Sequence, residues 1–276
     1  MSVIEPIDCL TALVVGFHYK KPRYSIANSF NEILDQIQDL PGFTVSSIHD
    51  HELVMKVGKV KVSLSHQNLI INSPIVIGEK LHSLIAQDVN KGKIPIPNIF
   101  GPRFDLEEPI MAQKEGPKKF RDAFIADSIE MTRLLDKIIT GLPPLRFAGF
   151  VEYYVIPLNH VTWDILEKFN KEAHVLDGEN TEKRSINRYY FPKTGKLDER
   201  CFIFHLLKQN SHNAPEAVLA GASFDYQFMP DQQETKNLDG YGGAENLIKS
   251  LSTGMGQILA RSKFINFSLR GENHVS

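Results

Sequence analysis

The order of elements written into this chain occurs twice, and that order limits the folds open to it more than any motif does. A buried strand, an amphipathic helix, a run of short strands and a long amphipathic helix occupy roughly residues 10–140, and a looser version resumes after Pro143-Pro144. Thr11 to Tyr19 is apolar and rich in β-branched and aromatic residues, which suits a buried strand. Ile26, Phe30, Ile33, Leu34 and Ile37 then recur at helical spacing until Pro41-Gly42 stops them. Phe43 to Ile48, Leu53 to Val57, Val60 to Leu64 and Leu69 to Ile71 read as four short strands separated by turn residues.

Either a short helix or a strand fits 79–90, and Phe120, Phe124, Ser128, Met131, Leu135 and Ile138 predict a long helix ending near Gly141 and Pro143. Between them, five prolines from Pro95 to Pro117 predict a long surface excursion over 91–117. The second half opens with Leu145 to Ile156, the longest strand candidate. A short helix is expected over Val161 to Phe169 and a loop over Asp177 to Ser185. Strands follow near Asn187 to Phe191, Cys201 to Leu207 and Val218 to Phe228, then a helix carrying Leu247, Leu251, Met255 and Ile258 and a strand-like end at Phe264 to Leu269. The expected class is α+β: two pseudo-repeated halves, 1–142 and 143–276, each an antiparallel sheet covered by a short and a long helix. No residue-level identity links the halves, so the repeat rests on element order, and one curved sheet gripping a long helix would produce much of the same pattern.

Composition excludes more than it selects. Lys+Arg 31 against Asp+Glu 33 provides no global field for nucleic acid or anionic lipid. The start MSVIEPIDCL has neither the basic region nor the apolar core of a signal peptide, and no stretch is apolar enough to span a bilayer, so a cytoplasmic protein without membrane association is expected. Cys9 and Cys201 are isolated and read as buried thiols. His49-Asp50-His51 has metal-binding composition, but two imidazoles leave a site incomplete without His66, His18 or a distant carboxylate, so a polar hairpin turn is favoured and no cofactor is expected.

Several segments taken together resemble a sporadically distributed bacterial family of uncharacterised proteins of similar length. They are the early strand and helix, the pair Val60 to Ser73, the long helix, the strand opening Leu145-Arg146-Phe147, the acidic-aromatic Phe224-Asp225-Tyr226 and the terminal helix. This chain departs from the pattern at Ala148-Gly149 and in the excursion at 91–117. The resemblance implies the fold and a bacterial cytoplasmic setting, and families so distributed are often found in defence or mobile-element cassettes. It implies no activity.

Candidate binding residues come from charges on strands. Alternation puts Arg146 and Glu152 on one strand face, and a concave sheet would let Arg146, Glu152, Tyr154, Arg188, Tyr190 and Asp225 line a groove; ordinary ion pairing on a solvated face is the competing explanation. Ile96 and Phe100 on the Pro-rich excursion are apolar side chains suited to contact. Gly240, Gly242 and Gly243 before the last helix could offer backbone N–H groups to an anion, although the spacing matches no phosphate loop. Lys118, Lys119 and Arg121 open the long helix, where cations oppose its dipole, which leaves either a solvated helix start or a binding partner. No catalytic motif is recognisable. The favoured expectation is a recognition or regulatory protein that binds another protein or peptide and that can self-associate. A small-ligand pocket or enzyme is the alternative, and single-stranded nucleic acid on the aromatic strands is a third reading against which the acidity counts.

Overall fold

A computed structural model describes residues 4–90, 111–113, 116–165, 168, 182–191, 199–211, 214–229, 236–262 and 266–269, with the backbone alone along parts of the strands and helix ends. The chain is α+β, and its main feature is one nine-stranded antiparallel sheet. The first half supplies β1 (Leu10–Tyr19), β2 (Thr44–His49), β3 (Glu52–Val57), β4 (Val60–Ser65) and β5 (Asn68–Asn72). The second half supplies β8 (Leu145–Pro157), β10 (Glu182–Phe191), β11 (Glu199–Ser211) and β12 (Ala214–Met229). The order across the sheet is β10-β11-β12-β8-β1-β5-β4-β3-β2, so the opening strands of the two halves lie side by side, and the meander that follows each one extends away from it. Two small sheets stand apart, parallel β6 (Val76–Gly78) with β7 (Met111–Gln113) and antiparallel β9 (Val161–Trp163) with β13 (Phe267–Leu269).

Helices α1 (Phe30–Ile37), α2 (Glu79–Asn90), α3 (Pro117–Ile138) and α4 (Gly243–Ser262) join these strands, with 3-10 turns at Pro6–Cys9, Tyr24–Ser29 and Asp239–Tyr241. The long helix has clear stops. Pro117 sits at its first turn, where a missing N–H costs nothing, after Gly116 at φ 82. At its other end Thr140 and Gly141 turn left-handed, and Gly141 N–H donates to the Asp136 carbonyl at 2.8 Å. Its Phe124 packs against Phe150 of β8, with ring centroids 6.4 Å apart.

Strand alternation explains which sheet face lies under the helices. Leu13, Val15 and Phe17 of β1, Phe150 and Tyr154 of β8, and Phe202, Phe204, Phe224 and Tyr226 of the second-half strands are all buried there. Burying an aliphatic or aromatic side chain contributes roughly 1.5–3 kcal/mol, so this layer is the main stabilising element. α4 comes unusually close. A Cβ on Gly254 would stand 2.2 Å from the Tyr226 ring, so that helix can rest on β12 only where a side chain is missing.

Some expectations shift. Val161 to Trp163 form a strand rather than the start of a helix, because β13 offers them a partner and buries Val161 and Trp163. The expected loop over 177–185 runs into β10, which already starts at Glu182 against β11. The excursion includes the short β7 and ends in the first turn of α3, while Ile96 and Phe100 lie outside the described residues.

Candidate functional site

Burial on β12 shows how the two faces differ. Ala222, Phe224, Tyr226 and Phe228 on the helix face are buried, whereas the alternate Ser223, Asp225 and Gln227 are half-buried. The register carries that second face across the sheet. Asp225 aligns with Ile203 and Val151, Gln227 with Cys201 and Gly149, and His18 with Phe147 and Asn68. We refer to it as the open face.

At its centre two glycines oppose each other, Gly16 on β1 and Gly149 on β8. A glycine pair inside a sheet costs conformational entropy and leaves backbone accessible. Here the space is used by neighbours. His18 Nε2 lies 3.6 Å from where a Gly16 Cβ would be, and Asp225 Oδ1 lies 3.1 Å from the corresponding point on Gly149. His18 also stacks on Phe147 with centroids 4.1 Å apart, and Gln227 donates to Asp225 at 2.6 Å. An imidazole, a carboxylate and an aromatic ring are thus drawn over the middle of the sheet, beside an apolar strip of Val14, Val151 and Ile203.

The charged set expected on one face is divided between two. Glu152 and Tyr154 lie on the helix face, both buried, and line no groove. Glu152 accepts from Arg121 Nε at 2.7 Å and from the Tyr154 hydroxyl at 2.6 Å, while Arg121 also donates to the Ser252 carbonyl at 2.8 Å and lies over the Phe150 ring. The partner for that cation at the start of α3 is therefore internal. Burial, then the neighbouring Glu152 charge, pushes the Tyr154 hydroxyl well above its ordinary range.

Arg146 is exposed and belongs to neither set. Between His18 paired with Phe147 and Tyr19 paired with Leu145 the register slips, so Arg146 is the extra residue of a bulge and the alternation linking it to Glu152 is broken. Of the remaining candidates, Asp225 is on the open face. Backbone register aligns Arg188 with Ile203 and Asp225, and Tyr190 with Cys201 and Gln227. Sequence reasoning named His18 only as a possible metal ligand and Phe147 only as a stacking aromatic for nucleic acid, and it missed Gln227 and the glycine pair; glycines inside two strand patterns were the available signal.

The glycine turn before α4 is self-satisfied. The N–H groups of Gly240, Gly242 and Gly243 donate to the carbonyls of Asn237, Asp239 and Leu238, leaving none of the three for an anion. Beside it a niche of about 290 Å³ is lined by Arg133, Lys137 and Glu245 among others, and the Glu245 carboxylate already takes Lys249 and Arg133. Those two cations hold its carboxyl below the usual range.

His49 ends β2 and Glu52 begins β3, so Asp50 and His51 form a hairpin turn. A shallow groove of about 480 Å³ runs from that turn along Glu52, Ser63, Ser65, His66 and Asn68. Tyr24 stacks on His66 at 4.8 Å, and His51 meets His66 edge-on at 5.2 Å. Among the described residues, no group of three or more His, Cys, Asp or Glu is arranged to hold a metal ion. Burial, then the adjacent Asp8, pushes the Cys9 thiol upward, opposite to what a reactive thiolate needs.

The fold and site define a class, an α+β protein with a helix-backed antiparallel sheet and a polar, aromatic second face. No protein-family model matches the chain, and no curated protein is significantly similar to it. No described helix is long and apolar enough to cross a membrane.

Proposed function

We propose that this chain is a non-enzymatic recognition or regulatory protein that holds a polypeptide segment of a partner on the open face of its sheet. One observation carries the reading: half-buried His18, Phe147, Tyr153 and Asp225 surround a glycine pair on the sheet face opposite buried Phe150 and Phe224, a polar-aromatic surface of the kind that takes extended chain. Aromatic anchors supply contact area at low entropic cost. Ile96 and Phe100, apolar residues of the Pro-rich segment, would add contacts with the partner. Arg188 and Tyr190, whose backbone register pairs them with Ile203 and Cys201, are further candidates for partner contact.

A second reading has its own support. His18 and Asp225 drawn over one patch of backbone would also suit a small polar ligand, or an enzyme that uses the pair for proton transfer. One experiment separates the two. Phe147→Ala and Tyr153→Ala, assayed by affinity capture of native partners alongside a thermal-shift screen of small metabolites, should abolish capture of a defined protein. Capture unchanged by both substitutions would sink the recognition reading, and a stabilising small molecule whose effect needs His18 and Asp225 would install the second.

We also propose that the halves 1–142 and 143–276 are products of a duplication acting in a bacterial cytoplasm, with a defence or mobile-element setting. The sheet order supports the duplication, because β1 with β5-β4-β3-β2 and β8 with β12-β11-β10 have the same arrangement, a first strand paired to the last strand of its own meander.

A further inference from the structure

Tyr24, Val45 and Ile48 are the large apolar side chains exposed among the described residues, at 61, 42 and 53%, and two of the three lie on one strand. Val45 and Ile48 are on β2, the edge strand, which pairs with β3 on one side only. Edge strands usually carry lysine, proline or another charge that discourages pairing. The β2 sequence Thr44-Val45-Ser46-Ser47-Ile48-His49 has no Lys, Arg, Asp, Glu or Pro.

A bulge shapes this edge. Val45 pairs with Met55 and Ser47 with Val54, leaving Ser46 as the extra residue. Residues three apart in a regular strand would point to opposite faces, but the slip puts Val45 and Ile48 on the same face, that of buried Met55 and Leu53. Bulges often blunt an edge. This one gathers two apolar side chains on one side of it.

We propose that β2 is a self-association edge, on which a second copy of this chain adds its own β2 antiparallel and continues the sheet. With a twofold axis between Ser46 and Ser47, Val45 of each copy meets Ile48 of the other, the serines face each other, and Thr44 meets His49. The strand is self-complementary in that register, as a twofold interface must be. Charge selects the same direction. Lys56, the register partner of Thr44, and Lys59 in the next turn mark one end of β2, while Asp50 and Glu52 mark the other. Antiparallel pairing sets the basic end against the acidic end, whereas parallel pairing would align like charges.

The test uses the full chain and sedimentation equilibrium over a wide concentration range. The wild type should form a dimer, and Val45→Asp and Ile48→Lys should each raise its dissociation constant at least about tenfold with unchanged melting temperature and circular dichroism. Mixing the two variants should restore a heterodimer, because the aspartate replacing Val45 in one copy then faces the lysine replacing Ile48 in the other. A wild type that stays monomeric at every concentration, a dimer indifferent to both substitutions, or a mixture that stays monomeric would each overturn the proposal.

Discussion

The two faces of the central sheet keep their charges in opposite ways. On the helix face Glu152 is almost fully enclosed, and Arg121 and Tyr154 meet both of its oxygens. On the open face Asp225 is half-buried beside Gln227, above a glycine rather than beneath a helix. A carboxylate removed from water needs its partners to be fixed, whereas one left half in water can exchange them. The comparison teaches that strand charge alone does not mark a site; the layer above it decides how fully the charge is enclosed.

The sharpest way to break the comparison is to strand the enclosed carboxylate. Arg121→Ala should destabilise the protein by about 3–5 kcal/mol, as loss of one member of a buried pair does, read from urea unfolding. A loss under about 1 kcal/mol, the level of a surface pair, would put Glu152 in the same class as Asp225. Packing on this face is tested by Gly254→Val, which drives a side chain into the Tyr226 ring and should cost about 1–3 kcal/mol or more. Unchanged stability would mean that α4 is free to lift from β12.

Tyr154→Phe removes one donor to Glu152 and should cost about 1.5–3 kcal/mol, the usual worth of a hydrogen bond to a charged group. It also has a pH signature. Because the folded-state pKa of Tyr154 is raised above the ordinary value near 10, its contribution is complete below about pH 10 and is lost as pH rises above that, while the unfolded chain ionises and the folded one does not. Tyr19 shifts upward through burial as well, so wild-type stability should fall on the alkaline side, and Tyr154→Phe should flatten part of that fall. A variant with the same alkaline slope as wild type would remove Tyr154 from the explanation. The smallest effect on stability is expected on the open face, where Asp225→Asn should cost about 1 kcal/mol or less and yet weaken partner capture. A large loss of stability there would show that the open face, too, is structural.

Much of the first-half meander was legible because β3 alternates cleanly, with Leu53, Met55 and Val57 inward, and turn residues separate the strands. Patterns of this kind report which residues turn inward. They do not report which helix lands on which strand, so the pairing of Arg121 with Glu152, 31 residues away, could not be read. Arg146 failed for a different reason, since a single bulge cancels a parity argument without changing any hydrophobic pattern. The glycine pair was visible as two separate glycines, but their meeting depends on the register of β1 against β8, strands that local patterning never connects.

The central position of β1 also bears on how the chain is made. β1 can pair with β5 once residue Asn72 has left the ribosome, but its other side waits for β8, which ends at Pro157, about 85 residues later. At roughly 5–20 residues per second, that apolar strand spends several seconds with one side open, able to pair with any passing strand. A contact this distant in sequence also slows folding, because loop closure precedes its reward. Nascent chains halted between Asn72 and Pro157 should therefore be the ones that most engage chaperones, and release from them should coincide with the emergence of β8.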